Sequence, residues 1–154
     1  MSKLISLFIF ILFFAFGSSL KAQTLYTWDD FGLKFSVPAG FTEMENTGDK
    51  FEGKCDKSKI FLFGLYPIAD ENVTKQDLVA ELKAFAKESG MAVKETKEIK
   101  FNGFEGVYAE GTVEGTPSFV AFMLDPNGDL NFIVSALHQN TEATVRLIRS
   151  IQKM

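Results

Sequence analysis

Cysteine, histidine and tryptophan are almost missing from this chain: each occurs once among 154 residues, and proline occurs four times. A lone Cys55 excludes an internal disulfide, so the core alone must hold the fold. A lone His138 leaves little for Ser–His or Cys–His catalysis or for a histidine metal cluster. Ser118 and Ser135 lack the G-x-S-x-G context of a hydrolase nucleophile. No glycine-rich loop precedes a helix; the glycines mark hairpins instead. An excess of basic charge is also absent, with 16 Lys and Arg against 20 Asp and Glu and a net charge of −4. Opposite charges interleave, as in KETKEIK (94–100). That pattern reads as a solvated strand face, and it argues against nucleic acid and against attraction to anionic lipid. Internal repeats, low-complexity segments and Pro- or Ser-rich linkers are lacking as well.

One long apolar run is present, Leu4 to Phe16, broken only by Ser6. Lys3 precedes it, and Gly17, Ser18, Ser19 and Ala22 follow. A membrane span needs roughly 20 apolar residues. This run is shorter and has the layout of a secretory signal, so residues 1–22 are predicted to be a signal peptide. Cleavage is expected after Ala22, with Ser19 as the second choice. No Cys stands there to take a lipid. What remains, residues 23–154, is predicted to be one α+β domain, secreted or periplasmic, with no membrane span after cleavage. It keeps 12 of the 17 Phe, a heavy aromatic core.

Leu25–Trp28 reads as a short edge strand and Asp29–Gly32 as a turn. Leu33, Phe35 and Val37 share a parity with Lys34 and Ser36 opposite, a strand with one buried face that Pro38 ends. Residues 41–54 read as a polar, peripheral hairpin around Thr47-Gly48-Asp49, and 55–59 as an exposed turn. Thr74 and Asp77 have capping-box spacing. Leu78, Leu82, Phe85 and Ala86 then form a helical stripe that Gly90 closes. Asn102-Gly103 predicts a type I′ hairpin, and Glu114-Gly115-Thr116-Pro117 a further turn. Residues 60–66, 118–124 and 130–137 are apolar at nearly every position, which predicts strands covered on both faces. A second helix follows, capped by Asn140 or Thr141, with Leu147, Ile148 and Ile151 inward. The predicted architecture is a twisted antiparallel sheet of about six or seven strands flanked by two α-helices. One helix lies on each face, or both on one face with the peripheral hairpin over the other.

The residues with chemistry each have a plainer role. Lys54 and Lys57 beside Cys55 favour a thiolate, but no base is near in sequence, so Cys55 reads as an incidental turn cysteine or one open to intermolecular pairing. Asp125, Asn127 and Asp129 have the spacing of a calcium loop. Leu130 and Ala136 stand where that loop needs Gly and Glu, so ordinary turn chemistry is expected. Glu105, Glu110 and Glu114 lie in one strand and its turn, where at most two carboxylates would meet in a cleft. His138, between a buried strand and a helix, reads as a helix-entry or surface residue rather than a base. No catalytic or metal-binding residue is assigned, no cofactor is implied, and no ligand-binding residue is identified from the sequence.

The stretch YTWDDFGLKFSVPAGF (26–41) resembles the start of PsbP-like domains, and FNGFEGVYAEGTVEG (101–115), the mid-chain helix and a terminal helix ending in IRSIQ continue the likeness over residues 24–152. That fold is shared by the photosystem extrinsic protein PsbP, a Ran-binding import factor and bacterial periplasmic proteins. The resemblance implies an antiparallel sheet between helices and mostly binding or assembly roles without catalysis. A lone His138 leaves little of the metal-binding histidine set of the plant branch, and no individual partner carries over. The expected function is therefore a non-enzymatic binding or assembly module with a protein partner in the cell envelope. The alternative is a carrier of a small apolar ligand, held between the sheet and the peripheral hairpin near Phe31, Phe41 and Phe51.

Overall fold

The structure is a computed structural model that describes residues 23–70 and 72–154; the expected signal peptide lies outside the described residues. The strands are β1 (Gln23–Trp28), β2 (Leu33–Pro38), β3 (Thr42–Asn46), β4 (Phe51–Cys55), β5 (Ile60–Pro67), β6 (Met91–Phe101), β7 (Phe104–Val113), β8 (Thr116–Leu124), β9 (Phe132–His138) and β10 (Gln152–Lys153). Helices α1 (Lys75–Glu88) and α2 (Thr141–Arg149) complete the fold. It is an α+β architecture with a seven-stranded sheet in the order β3-β4-β5-β9-β8-β7-β6 and a three-stranded sheet β1-β2-β10. Every pairing is antiparallel.

Side-chain alternation along β8 sorts the core into two layers. Phe119, Ala121 and Met123 point to the larger cluster with Trp28, Leu33, Phe35, Val37, Phe51, Phe63, Phe104, Phe132, Leu147 and Ile148. Val120 and Phe122 point the other way, to Leu78, Leu82 and Ala86 of α1. Thus α1 covers one face of the large sheet, while α2 and the small sheet cover the other. Strand β8 is buried on both faces from Ser118 to Met123.

Local chemistry explains the ends of these elements. Thr74 N donates to Asp77 Oδ2 at 3.0 Å, closing the start of α1, and Gly90 takes φ +69° just past its end. Asn140 Oδ1 accepts from Ala143 N at 3.0 Å to cap α2. Asn102 and Gly103 both have positive φ, as a type I′ turn requires.

Five expectations change. The β1–β2 hairpin does not extend the large sheet but builds a second one with β10. Strand β4 is not peripheral: it pairs with β5 and buries Phe51 and Cys55 completely. Thr116 and Pro117 belong to β8, because the two residues Glu114 and Gly115, at φ +49° and +80°, suffice for the turn. Strand β9 begins at Phe132, since Ile68 N and Asp125 N bind Asn131 by its backbone carbonyl and side chain. Finally, β5 and β9 are covered on one face only, and Phe61 is 42% exposed. Helix α1 rests mainly on β6, β7 and β8, and of β9 only Ile133 packs against its cluster among the described residues.

Candidate functional site

The short reach of α1 leaves half of its face of the large sheet open. Residues pair across β5 and β9 as Leu62 with Leu137, Gly64 with Ser135 and Tyr66 with Ile133. Their neighbours Phe63, Val134 and Ala136 point into the large core, so this row faces the other way. Leu62, Leu137, Ile133 and Ser135 are each half-buried, and Phe61 is exposed at a bulge beside them. Among the described residues, Leu62, Leu137 and exposed Phe61 form a short apolar strip with no helix over it, while Ile133 at its end packs against the α1 cluster.

Polar groups frame the strip on the β4 side. Tyr66 lies back across Gly64, so closely that a Cβ there would stand 2.4 Å from the phenol oxygen. Its hydroxyl donates to Glu52 Oε1 at 2.8 Å. Burial, and then the bond to Glu52, hold the Tyr66 phenol protonated well above the ordinary tyrosine value. Lys50 Nζ lies 2.9 Å from Glu45 and 3.3 Å from Glu52, and its bond to Glu45, then that to Glu52, raises its pKa. The arrangement is a flat apolar contact with a charged rim.

The residues singled out by the sequence are placed apart from this strip, Ser135 excepted. Cys55 is buried, not exposed: it ends β4 pointing inward, and its thiol lies 3.5 Å from the Ala39 carbonyl. Asp125 accepts from Asn127 N at 3.2 Å, turn chemistry as expected, and it also pairs with Lys153. Among the described residues no three His, Cys, Asp or Glu side chains are grouped to hold a metal. Glu105 pairs with Lys100 at 3.0 Å, Glu110 sits opposite Phe119, and Glu114 occupies a turn. Ser118 is buried in β8. His138 is buried rather than on the surface, and its Nδ1 has no hydrogen-bond partner. Burial lowers its pKa, and the charge of Glu110 acts against that shift.

The place proposed for a small apolar ligand is filled by the rings themselves. Phe31 stacks on Trp28 with centroids 4.4 Å apart, and Phe51 meets Phe35 edge-on at 4.9 Å. Phe41 lies against Gly53, where a Cβ would approach its ring to 2.3 Å. Open volume lies elsewhere, chiefly in a groove of about 700 Å³ between α1 and β6, floored by Val79 and Val107 and rimmed by Lys75, Lys83 and Lys97.

The sequence did not reveal the strip. The apolar residues of 130–137 read in sequence as a doubly buried strand, and only the strand order shows that one of their faces is partly free.

Known folds resemble this one. The solution structure of the cyanobacterial PsbP, CyanoP, from Synechocystis sp. PCC 6803 superposes with a TM-score of 0.57 at 12% identity, over 90% of this chain and 96% of that one. A crystal structure from Bacteroides thetaiotaomicron superposes with a TM-score of 0.53 at 10% identity. It covers 88% of this chain, which spans 49% of that protein's length. The chain therefore has a PsbP-like fold. No family model matches the sequence, and no curated protein matches it.

Proposed function

We propose that this protein is a secreted or periplasmic binding or assembly module of PsbP-like fold that acts without catalysis, and that its partner is a protein of the cell envelope. The observation that carries the reading is the strip of Leu62 and Leu137 beside exposed Phe61, which no helix covers among the described residues. Apolar side chains that no element of the fold covers cost solubility unless a partner covers them. Supporting it, the ionisable candidates are distributed over separate elements and do not converge on one cleft. The groups nearest the strip, Tyr66, Glu52 and Lys50, are tied to one another.

The test is cross-linking and pull-down from the envelope fraction with wild type and with Leu137→Asp. A specific protein held by wild type, and released by the variant at unchanged melting temperature, is the expected result. Equal retention by both forms, or reproducible turnover of a substrate, would overturn the reading. Export is checked separately by sequencing the amino terminus of the exported chain, expected at Gln23.

A further inference from the structure

The large sheet ends in two edge strands, β3 and β6, and they differ in what they permit. A two-fold axis perpendicular to a sheet can pair an edge strand with its own copy, antiparallel, and such a pairing sets opposite each other only residues of the same parity. In β3, centring the axis on Met44 sets Glu43 against Glu45, and centring it on either glutamate sets that residue against itself. Like charges directly opposite are destabilising, so this edge repels its own copy.

Strand β6 carries the opposite pattern. It is exposed at Val93, Lys94, Glu95, Lys97, Glu98 and Lys100. An axis through Thr96 sets Glu95 against Lys97, twice by symmetry. Axes through Lys94, Glu95, Lys97 or Glu98 place a charge against itself. An axis through Ile99 sets Glu98 against Lys100, but Lys75 and Glu105 of the same chain already hold those two charges. The Thr96 axis thus joins two charges that the single chain pairs with each other and not with another element. Pairing through β7 fixes the faces. Glu98 lies opposite Val107, on the α1 side, whereas Lys97 lies opposite Tyr108, on the α2 side. Glu95 and Lys97 therefore share a face. Lys94 is the extra residue of a bulge between Val93 and Glu95, which limits regular pairing about Thr96 to about three residues of each strand, 95–97.

Space is available for a second strand. Beyond β6 the large sheet has no further strand among the described residues, and Glu95 and Lys97 are exposed. In the single chain Lys97 pairs with its own Glu95 at 3.0 Å and Lys75 with Glu98 at 3.1 Å. Association shares these charges across the axis, so the ions select register and partner while backbone hydrogen bonds supply most of the attraction.

We infer that the β6 edge is a self-recognition surface, on which a second copy of this chain docks antiparallel about Thr96 to form a two-fold dimer with one continuous sheet. This stands independently of any partner on the β5–β9 strip.

Sedimentation equilibrium across the micromolar range tests it, with amide exchange followed at residues 94–98. The expected result is a mass that rises with concentration and levels at the dimer, with protection at 94–98 rising in step. Glu95→Lys alone, or Lys97→Glu alone, sets like charges across the axis and weakens association by about tenfold or more. Mixing these two variants restores it, because each then meets its complement, and so does the double exchange in one chain. A monomer at every concentration overturns the inference. So does a dimer indifferent to Glu95→Lys, or a mass that climbs past the dimer as head-to-tail pairing of β6 on β3 would give. All substituted side chains are exposed, so an unchanged melting temperature separates loss of association from loss of fold.

Discussion

The carboxylate of Asp125, 1% exposed, is held by the ammonium of Lys153 from the far end of the chain. That contact ties β10 to the turn between β8 and β9, while Lys153 also lies 5.7 Å from the centre of the Phe104 ring. The two ends of the bond are unequal. Lys153 is 36% exposed and can turn to water; Asp125 cannot. Removing the lysine therefore leaves a buried carboxylate, whereas removing the acid leaves an amine that hydrates. Lys153→Met is expected to cost about 2–4 kcal/mol and Asp125→Asn about 1–2 kcal/mol. Urea unfolding of both variants and of the double variant checks the order; equal costs would contradict it.

Gly106 and Gly103, three residues apart, predict opposite tolerances. A Cβ on Gly106 would stand 1.9 Å from the Phe122 carbonyl oxygen, a backbone atom of the paired strand β8. Gly106→Ala must push β7 and β8 apart, at about 3 kcal/mol. Gly103 has φ +84° with nothing within 4 Å, so Gly103→Ala meets only backbone strain, about 1 kcal/mol. Thermal unfolding of the two variants side by side decides this.

What could be read ahead of the structure was local. The Thr74–Asp77 spacing and the stripe of Leu78, Leu82 and Ala86 define α1 without help from distant residues, and Asn102-Gly103 defines its hairpin by backbone preference alone. What escaped depends on strand order. Leu137 and Leu62 look like core residues in any window of sequence; they are partly exposed because α1 does not cover that part of β5 and β9. Strand β10, two residues long, has no signal of its own, because its place depends on Lys34 and Leu33 of β2. Cys55 looked like part of a polar turn because its neighbours are charged. Its burial follows from strand parity with Phe51 and Gly53 in β4.

That burial makes a chemical prediction. The Cys55 thiol is fully enclosed, beside the Ala39 carbonyl. A thiol reagent must wait for local opening, so labelling of the native protein is expected to be slower than labelling of the urea-unfolded chain by a factor of about 100 or more. Because the side chain cannot be reached, intermolecular disulfide formation is not expected in the native state. Timed labelling followed by mass spectrometry reads both. Rapid stoichiometric labelling without denaturant would show that β4 does not hold the thiol as described.

His138 gives the pH dependence. Burial holds its folded-state pKa below the ordinary imidazole value of 6.5, with Glu110 opposing that shift. A depressed pKa means that the unfolded chain binds the proton more readily. Stability from this group is thus complete above about pH 6.5, falls as pH drops toward the folded pKa, and levels below it. The slope in that window cannot exceed about 1.4 kcal/mol per pH unit, the value for one proton. Glu110→Gln removes the opposing charge, lowers the folded pKa further and deepens the loss. His138→Gln removes this contribution. Since His138 is the only histidine, one imidazole resonance reports the titration directly. A midpoint above the ordinary value, or an unfolding profile unchanged by His138→Gln between pH 7 and 5, would mean that the ring is not desolvated as its unpartnered Nδ1 implies.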